Sequence, residues 1–184
     1  NLYFELHKNL EKEKIFFKNL KEPFKDFGDL LNFYNAEYLT SGIKSLKKID
    51  DNSVDYIFSH SVLEHVRKYE MYKLVKEMYR VLKPYGVISH NINYKDHLGE
   101  SLNNLRFNEQ IWESDLFAKS GFYTNRIPAV EMHQYFKKIG FNLVVEDFGR
   151  WDKLPINRNN LSKEFKKFTN DELMRPTSRF IAIK

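Results

Sequence analysis

The 184-residue chain contains no cysteine. That absence removes disulfides, thiolate nucleophiles, Cys-ligated zinc and iron–sulfur clusters together, and it fits a reducing, cytoplasmic home. Glycine is scarce as well. The seven glycines, Gly28, Gly42, Gly86, Gly99, Gly121, Gly140 and Gly149, lie too far apart for a G-x-G-x-x-G turn or a phosphate-cradling P-loop, so a nucleotide-like ligand has to be held in another way. No apolar run approaches the ~20 residues that cross a bilayer, and the N-terminus lacks a basic-then-apolar leader. No membrane span is expected. Thirty Lys+Arg against 25 Asp+Glu leave a net charge of +5, but the signs alternate along the chain, which argues against a nucleic-acid partner. The chain opens at Asn1 without an initiator Met, as expected of a fragment or a processed product.

What is present is apolar and aromatic: 42% hydrophobic residues, with 16 Phe and 11 Tyr, enough to predict a single globular domain over residues 1–184. Residues 2–6 read as a short strand and 9–21 as a part-exposed helix ended by Pro23. Residues 36–39 read as a strand that runs into a loop at Thr40, Ser41 and Gly42. After a turn at 50–53, residues 54–59 have the β-branched and aromatic content of a buried parallel strand. From 69 to 82, Met71, Leu74, Val75, Met78, Val81 and Leu82 recur at three- and four-residue steps, which predicts an amphipathic helix stopped by Pro84 and Gly86. A strand at 87–92 completes a βαβ unit. In it Val54, Ile57, Leu74, Met78, Val81 and Ile88 are expected to be buried. A helix at 130–139 and strands at 141–146 and 179–184 follow, and alternation of this kind means an α/β layered fold. Residues 95–128 form a long connection without plain periodicity, leaving the carboxyl end of a strand where ligands bind in open α/β sheets.

The stretch 53–66, S-V-D-Y-I-F-S-H-S-V-L-E-H-V, followed by 77–87, E-M-Y-R-V-L-K-P-Y-G-V, resembles class I S-adenosylmethionine-dependent methyltransferases. The resemblance covers roughly residues 36–184. It implies a Rossmann-like α/β sheet in which these pieces are the fourth strand and the helix leading into the fifth. A long insertion follows the fifth strand, and an antiparallel C-terminal hairpin closes the sheet. Motifs within 96–126 resemble a bacterial subgroup associated with surface-polysaccharide or small-metabolite modification. The family's first strand and Gly-rich loop have no counterpart here, and Glu5 would stand for the ribose-binding acid of its second strand. The resemblance therefore implies S-adenosylmethionine as cofactor, weakly held or not held by this chain, and methyl transfer to an oxygen or nitrogen of a small or glycan-linked acceptor. A catalytically inactive binding or assembly module is the alternative.

Methyl transfer from a sulfonium is an in-line displacement, so alignment comes first and a base is needed only where the acceptor keeps its proton. By the resemblance, Ser59 and His60 line the cofactor and His65 faces the acceptor. Glu64 is placed on the acceptor side with it. The competing reading has Glu64 and His65 orienting the short helix after the strand. His60 and His65 lack the i,i+4 spacing of a zinc helix, so no metal is expected. Asp96 and His97 form a candidate base-and-orienter pair, although neighbours at a strand end point apart and an exposed polar turn competes. Arg106, Asn125 and Arg126, interleaved with Trp112 and Tyr123, suit an anionic or sugar-like acceptor. Packing is expected for Phe107 and Phe122, recognition for Arg126. Ser41 and Gly42 are assigned to adenine and ribose, though an ordinary turn also accounts for Gly42. With the first strand missing, the outer edge of strand 54–59 is expected to be covered by residues 1–6, by the 9–21 helix or by a second copy in a homo-oligomer.

Overall fold

The computed structural model describes residues 24–184; the readings placed on 2–6, 9–21 and Glu5 lie outside the described residues. The chain divides into two units, Asn1–Thr40 and Ser41–Lys184. In the first, helix α1 (Phe27–Phe33) starts at Asp26, whose carboxylate accepts from the Asp29 amide at 2.9 Å and satisfies one of the free donors of the first turn. Phe24 packs edge-on against Phe33. The strand expected at 36–39 is absent: these residues run as irregular chain. An extended segment becomes a strand only through a ladder partner, and none of the described strands pairs with it.

The second unit opens with the short helix α2 (Ile43–Leu46) and strand β1 (Val54–His60). A 3-10 turn, Leu63–His65, leads into helix α3 (Lys68–Val81), which is followed directly by strand β2 (Leu82–Asn93). Leu82 is already extended (φ −66°, ψ 139°), and the helix cannot resume beyond it, because Pro84 disfavours helical geometry at Lys83 and lacks the amide of a further turn. The insertion carries a 3-10 turn (Asn103–Arg106) and the single turns α4 (Glu109–Trp112) and α5 (Asp115–Ala118). Helix α6 (Ala129–Ile139), strand β3 (Asn142–Phe148), helix α7 (Asn170–Leu173) and strand β4 (Thr177–Ile183) complete the unit.

The described strands form one sheet in the order β1-β2-β4-β3, with β1 and β2 parallel and β4 antiparallel to both neighbours. This is the predicted βαβ unit with its closing hairpin. One face carries Ile88, His90, Ile92, Phe180 and Ala182 against Met71, Val75 and Met78 of α3 and Met132 and Phe136 of α6. The opposite face of β1 is open: Tyr56 and Phe58 stack at 5.8 Å, with Phe58 70% exposed. The fully buried strand expected at 54–59 is the outermost strand among the described residues, and Val54, Ile57 and Leu74 are half-buried while Met78, Val81 and Ile88 are buried. A second core of Leu102, Leu105, Ile156, Leu161, Phe165, Phe168 and Leu173 joins the insertion to residues 154–173.

Candidate functional site

At the carboxyl end of β1 the chain turns sharply. Ser61 takes a left-handed conformation (φ 51°) and donates its amide to the Asn91 carbonyl at 2.9 Å, and the 3-10 turn then presents His65. Beside this turn lies an open cleft of about 840 Å³, bounded by the 41–46 segment, the end of β1 and the exposed side of α3. That volume suits a cofactor-sized ligand. Ser41, Gly42, Ser59, His60 and His65 all line it. Gly42 has φ +55°, and a Cβ placed there would meet nothing within 4 Å. Both the backbone conformation and the open space in front of it match a residue that lets a ring approach closely. The segment is fixed from behind by Arg80, which donates to the carbonyls of Leu46 (2.8 Å) and Ile49 (2.9 Å) and pairs with Asp51.

His65 is exposed toward solvent, and its Nδ1 lies 2.9 Å from the backbone carbonyl of Tyr123. A carbonyl only accepts, so Nδ1 carries the proton and Nε2 of the neutral ring keeps its lone pair. His97 stacks on this ring with centroids 5.1 Å apart. Ser59 Oγ is 2.7 Å from Nδ1 of His90. His90 is fully buried, and burial pushes its pKa down to about 4, so it stays neutral and orients the serine.

Other predicted site residues turn out to build the frame. Asp96 is fully buried: Oδ1 accepts from the amides of Leu98 (2.9 Å) and Gly99 (2.8 Å), and Oδ2 from Asn103. Its carboxylate is consumed by backbone donors, while the neighbouring His97 is exposed, so the expected base-and-orienter pair does not form. Glu64 is buried under the turn, outside the cleft lining, with Oε1 accepting from the Asn93 amide at 3.2 Å and Oε2 unpartnered. Burial raises its pKa. Trp112, Tyr123, Asn125 and Arg126 are all buried. Arg126 spends its guanidinium on the carbonyls of Asn104 and Phe107 and on Glu109, packed between Trp112 and Phe165. The sequence led to an expectation of acceptor recognition at this residue, whereas its charge is enclosed by protein partners and lies outside the cleft lining. Arg106 is exposed on its 3-10 turn.

Arg67 and Glu70 line the cleft without having been anticipated. Arg67 lies between the rings of Tyr69 (5.4 Å) and Tyr123 (5.5 Å) and pairs with Glu113 at 3.4 Å. Its place two residues after His65, on the same strand-to-helix turn, was the signal available. Among the described residues no group of three or more His, Asp or Glu side chains is arranged to hold a metal, and no helix is long and apolar enough to cross a membrane.

Residues 15–89 match a family model described as a methyltransferase domain. Among solved structures, a putative sarcosine dimethylglycine methyltransferase from Galdieria sulphuraria is similar over 86% of this chain and 63% of its own (14% identity, TM-score 0.50). A SAM-dependent methyltransferase from Archaeoglobus fulgidus matches over 85% and 72% (19% identity, TM-score 0.48), and one from Methanosarcina mazei over 74% and 61% (16% identity, TM-score 0.48). The chain thus spans less than two thirds of the Galdieria and Methanosarcina chains. No curated protein matches it. The family model thus covers the part of the chain that ends within β2, and the βαβ unit with its antiparallel closing hairpin is similar in fold to the Galdieria methyltransferase.

Proposed function

We propose that the chain serves methyl transfer to a proton-bearing oxygen or nitrogen of a small or glycan-linked acceptor, with His65 as general base. The observation that carries this reading is the Nδ1 contact of His65 with the Tyr123 carbonyl. It leaves the lone pair on Nε2, and a bare lone pair favours a hydroxyl or an amine N–H over a carboxylate acceptor, which needs no base and would be repelled. Ser41, Gly42, Ser59 and His60 would hold the adenosyl part of S-adenosylmethionine, which supplies an electrophilic methyl group when bound. The residues present fit one wall of such a site, and the seven dispersed glycines provide no Gly-rich loop for its methionine end. Weak binding is the consequence.

Among the described residues β1 has no strand on its outer edge, which supports self-association. Antiparallel pairing of two copies about Ile57 would set each Tyr56 opposite Phe58 and each Asp55 opposite Ser59, with aromatic pairs facing and no like charges opposed.

Calorimetric titration with S-adenosylmethionine, combined with transfer of labelled methyl to a panel of hydroxyl and amine acceptors, tests the proposal. We expect a dissociation constant above about 10 μM, equivalent to a binding free energy weaker than roughly 7 kcal/mol, and a His65→Ala loss of turnover of about 10²–10⁴-fold with binding little changed. No detectable binding together with no transfer would sink the enzyme reading and leave the module.

A further inference from the structure

Asn125 was assigned to the acceptor from sequence, but it is 1% exposed and its side chain is fully engaged. Nδ2 donates to the carbonyls of Leu63 at 2.8 Å and Val66 at 2.9 Å, and Oδ1 accepts from the Ile127 amide at 3.1 Å. Its own backbone amide donates to the Glu64 carbonyl at 2.7 Å. One residue of the insertion therefore holds three carbonyls of the turn that presents His65. A fourth tie runs in the other direction, from His65 Nδ1 to the Tyr123 carbonyl two residues upstream of Asn125.

The segment that carries these groups is rigid for its own reasons. Arg126 sits in the left-handed region (φ 57°) and its buried guanidinium donates to Asn104, Phe107 and Glu109. On the other side, the Tyr123 hydroxyl donates to the Glu113 carboxylate at 2.9 Å and 3.1 Å, and the Trp112 indole donates to the Thr124 carbonyl at 2.7 Å. A left-handed non-glycine residue persists only where its surroundings over-determine it. The 123–126 segment is thus a fixed anvil, and Asn125 is the part of it that grips the His65 turn.

We propose that Asn125 is a positioning residue for His65. By clamping Leu63, Glu64 and Val66 it keeps the Tyr123 carbonyl within reach of Nδ1, and so holds the imidazole in the tautomer whose Nε2 lone pair is free. Its use in catalysis rests on the reading of His65 as base, whereas the clamp itself does not. The arrangement also gives the insertion a role: it sets the protonation geometry of a residue on the neighbouring turn without touching the acceptor.

The test reads the histidine ring directly, by proton–nitrogen correlation spectra of the full chain with labelled histidine at pH 8.5, with the His65 signals assigned from His65→Gln. The wild-type ring should show a protonated Nδ1 and a bare Nε2. Asn125→Asp keeps size and the acceptor for Ile127 but sets carboxylate oxygens against the Leu63 and Val66 carbonyls. The ratio of the two tautomers should fall at least about fivefold, the worth of one hydrogen bond of about 1 kcal/mol. Thr124→Val removes the 2.9 Å bond from Asn104 in the same segment and should leave the His65 signature unchanged. If Asn125→Asp does not fold, Asn125→Ser, which retains one donor, decides, and a folded variant with the wild-type ratio overturns the proposal. An equal shift in Thr124→Val would overturn it too, since loop stability alone would then account for the effect. So would a wild-type ring populating both tautomers equally. A clamp that behaves as proposed in a protein that transfers no methyl group would retire the base reading and keep the positioning.

Discussion

His90 and His133 both sit in the core and both have their pKa lowered by burial, His90 to about 4. The unfolded chain takes up these protons near pH 6.5, and folded His90 does so only near 4. Protons therefore bind the unfolded state preferentially between those values, and stability is complete above about pH 6.5 and falls as pH drops toward 4. For His90 alone the loss is up to about 3 kcal/mol. Glu146, lowered by Lys137 and His133 against its own desolvation, acts with the same sign but only below about 4.5. Glu64, raised by burial, acts with the opposite sign, losing stability as pH rises above about 4.5. Denaturant titrations at pH 4 to 7 should give a stability that climbs with pH, and His90→Gln should flatten that climb; an unchanged slope would refute the assignment. Arg126→Met is a second check at this scale. Because it removes the donor from the Asn104 and Phe107 carbonyls and from the half-exposed Glu109 carboxylate, it should lower stability by about 1–3 kcal/mol instead of raising an acceptor KM in a variant that remains folded.

The α3 helix shows how far periodicity reaches at the scale of an element. The three- and four-residue spacing located it within one residue at each end, and Met71 and Val75 are fully buried as an apolar stripe requires. Leu74 belongs to the same stripe by sequence, yet it borders the cleft and is half-buried, since no strand covers the outer side of β1 among the described residues. Met71→Ala should accordingly cost about 2–5 kcal/mol and Leu74→Ala clearly less, measured by the same chemical denaturation; equal losses would contradict the edge position of β1. Gly86 is the other sharp element-level test. A Cβ there would lie 2.6 Å from a Leu82 methyl, 2.9 Å from the Lys83 carbonyl and 3.3 Å from that of Asp55. Two of these are backbone atoms that cannot swing aside, so Gly86→Ala should destabilise by about 1–3 kcal/mol, whereas a neutral result would show that the β1–β2 start relaxes freely.

Across the whole molecule, the second core is what periodicity did not show. Leu102, Leu105, Leu161, Phe165 and Phe168 come from segments with only single helical turns, and no 3.6-residue repeat can emerge from one turn. Phe165, set among Lys163, Lys166 and Lys167, is buried beneath Arg126. The exposed Tyr56 and Phe58 ladder carries the last prediction. Light scattering over a concentration series should show self-association of the wild-type chain, and Phe58→Lys, which places a charge on the edge face, should abolish it; a wild-type monomer at every concentration would exclude pairing through β1.

The sequence by itself determined the βαβ unit, the closing hairpin, the absence of Cys chemistry and of a Gly-rich loop, and the cluster Ser59, His60 and His65 at a strand end. All of these follow from local spacing and composition. Tertiary structure decided which polar residues face the cleft. Asp96, Asn125 and Arg126 have the side chains of a binding site, and their number of donors and acceptors is the same whether those groups meet a ligand or backbone. Only the packing of the insertion against the His65 turn, and the rule that buried polar groups must be paired, turned them into the frame of the site and left the imidazoles in the opening.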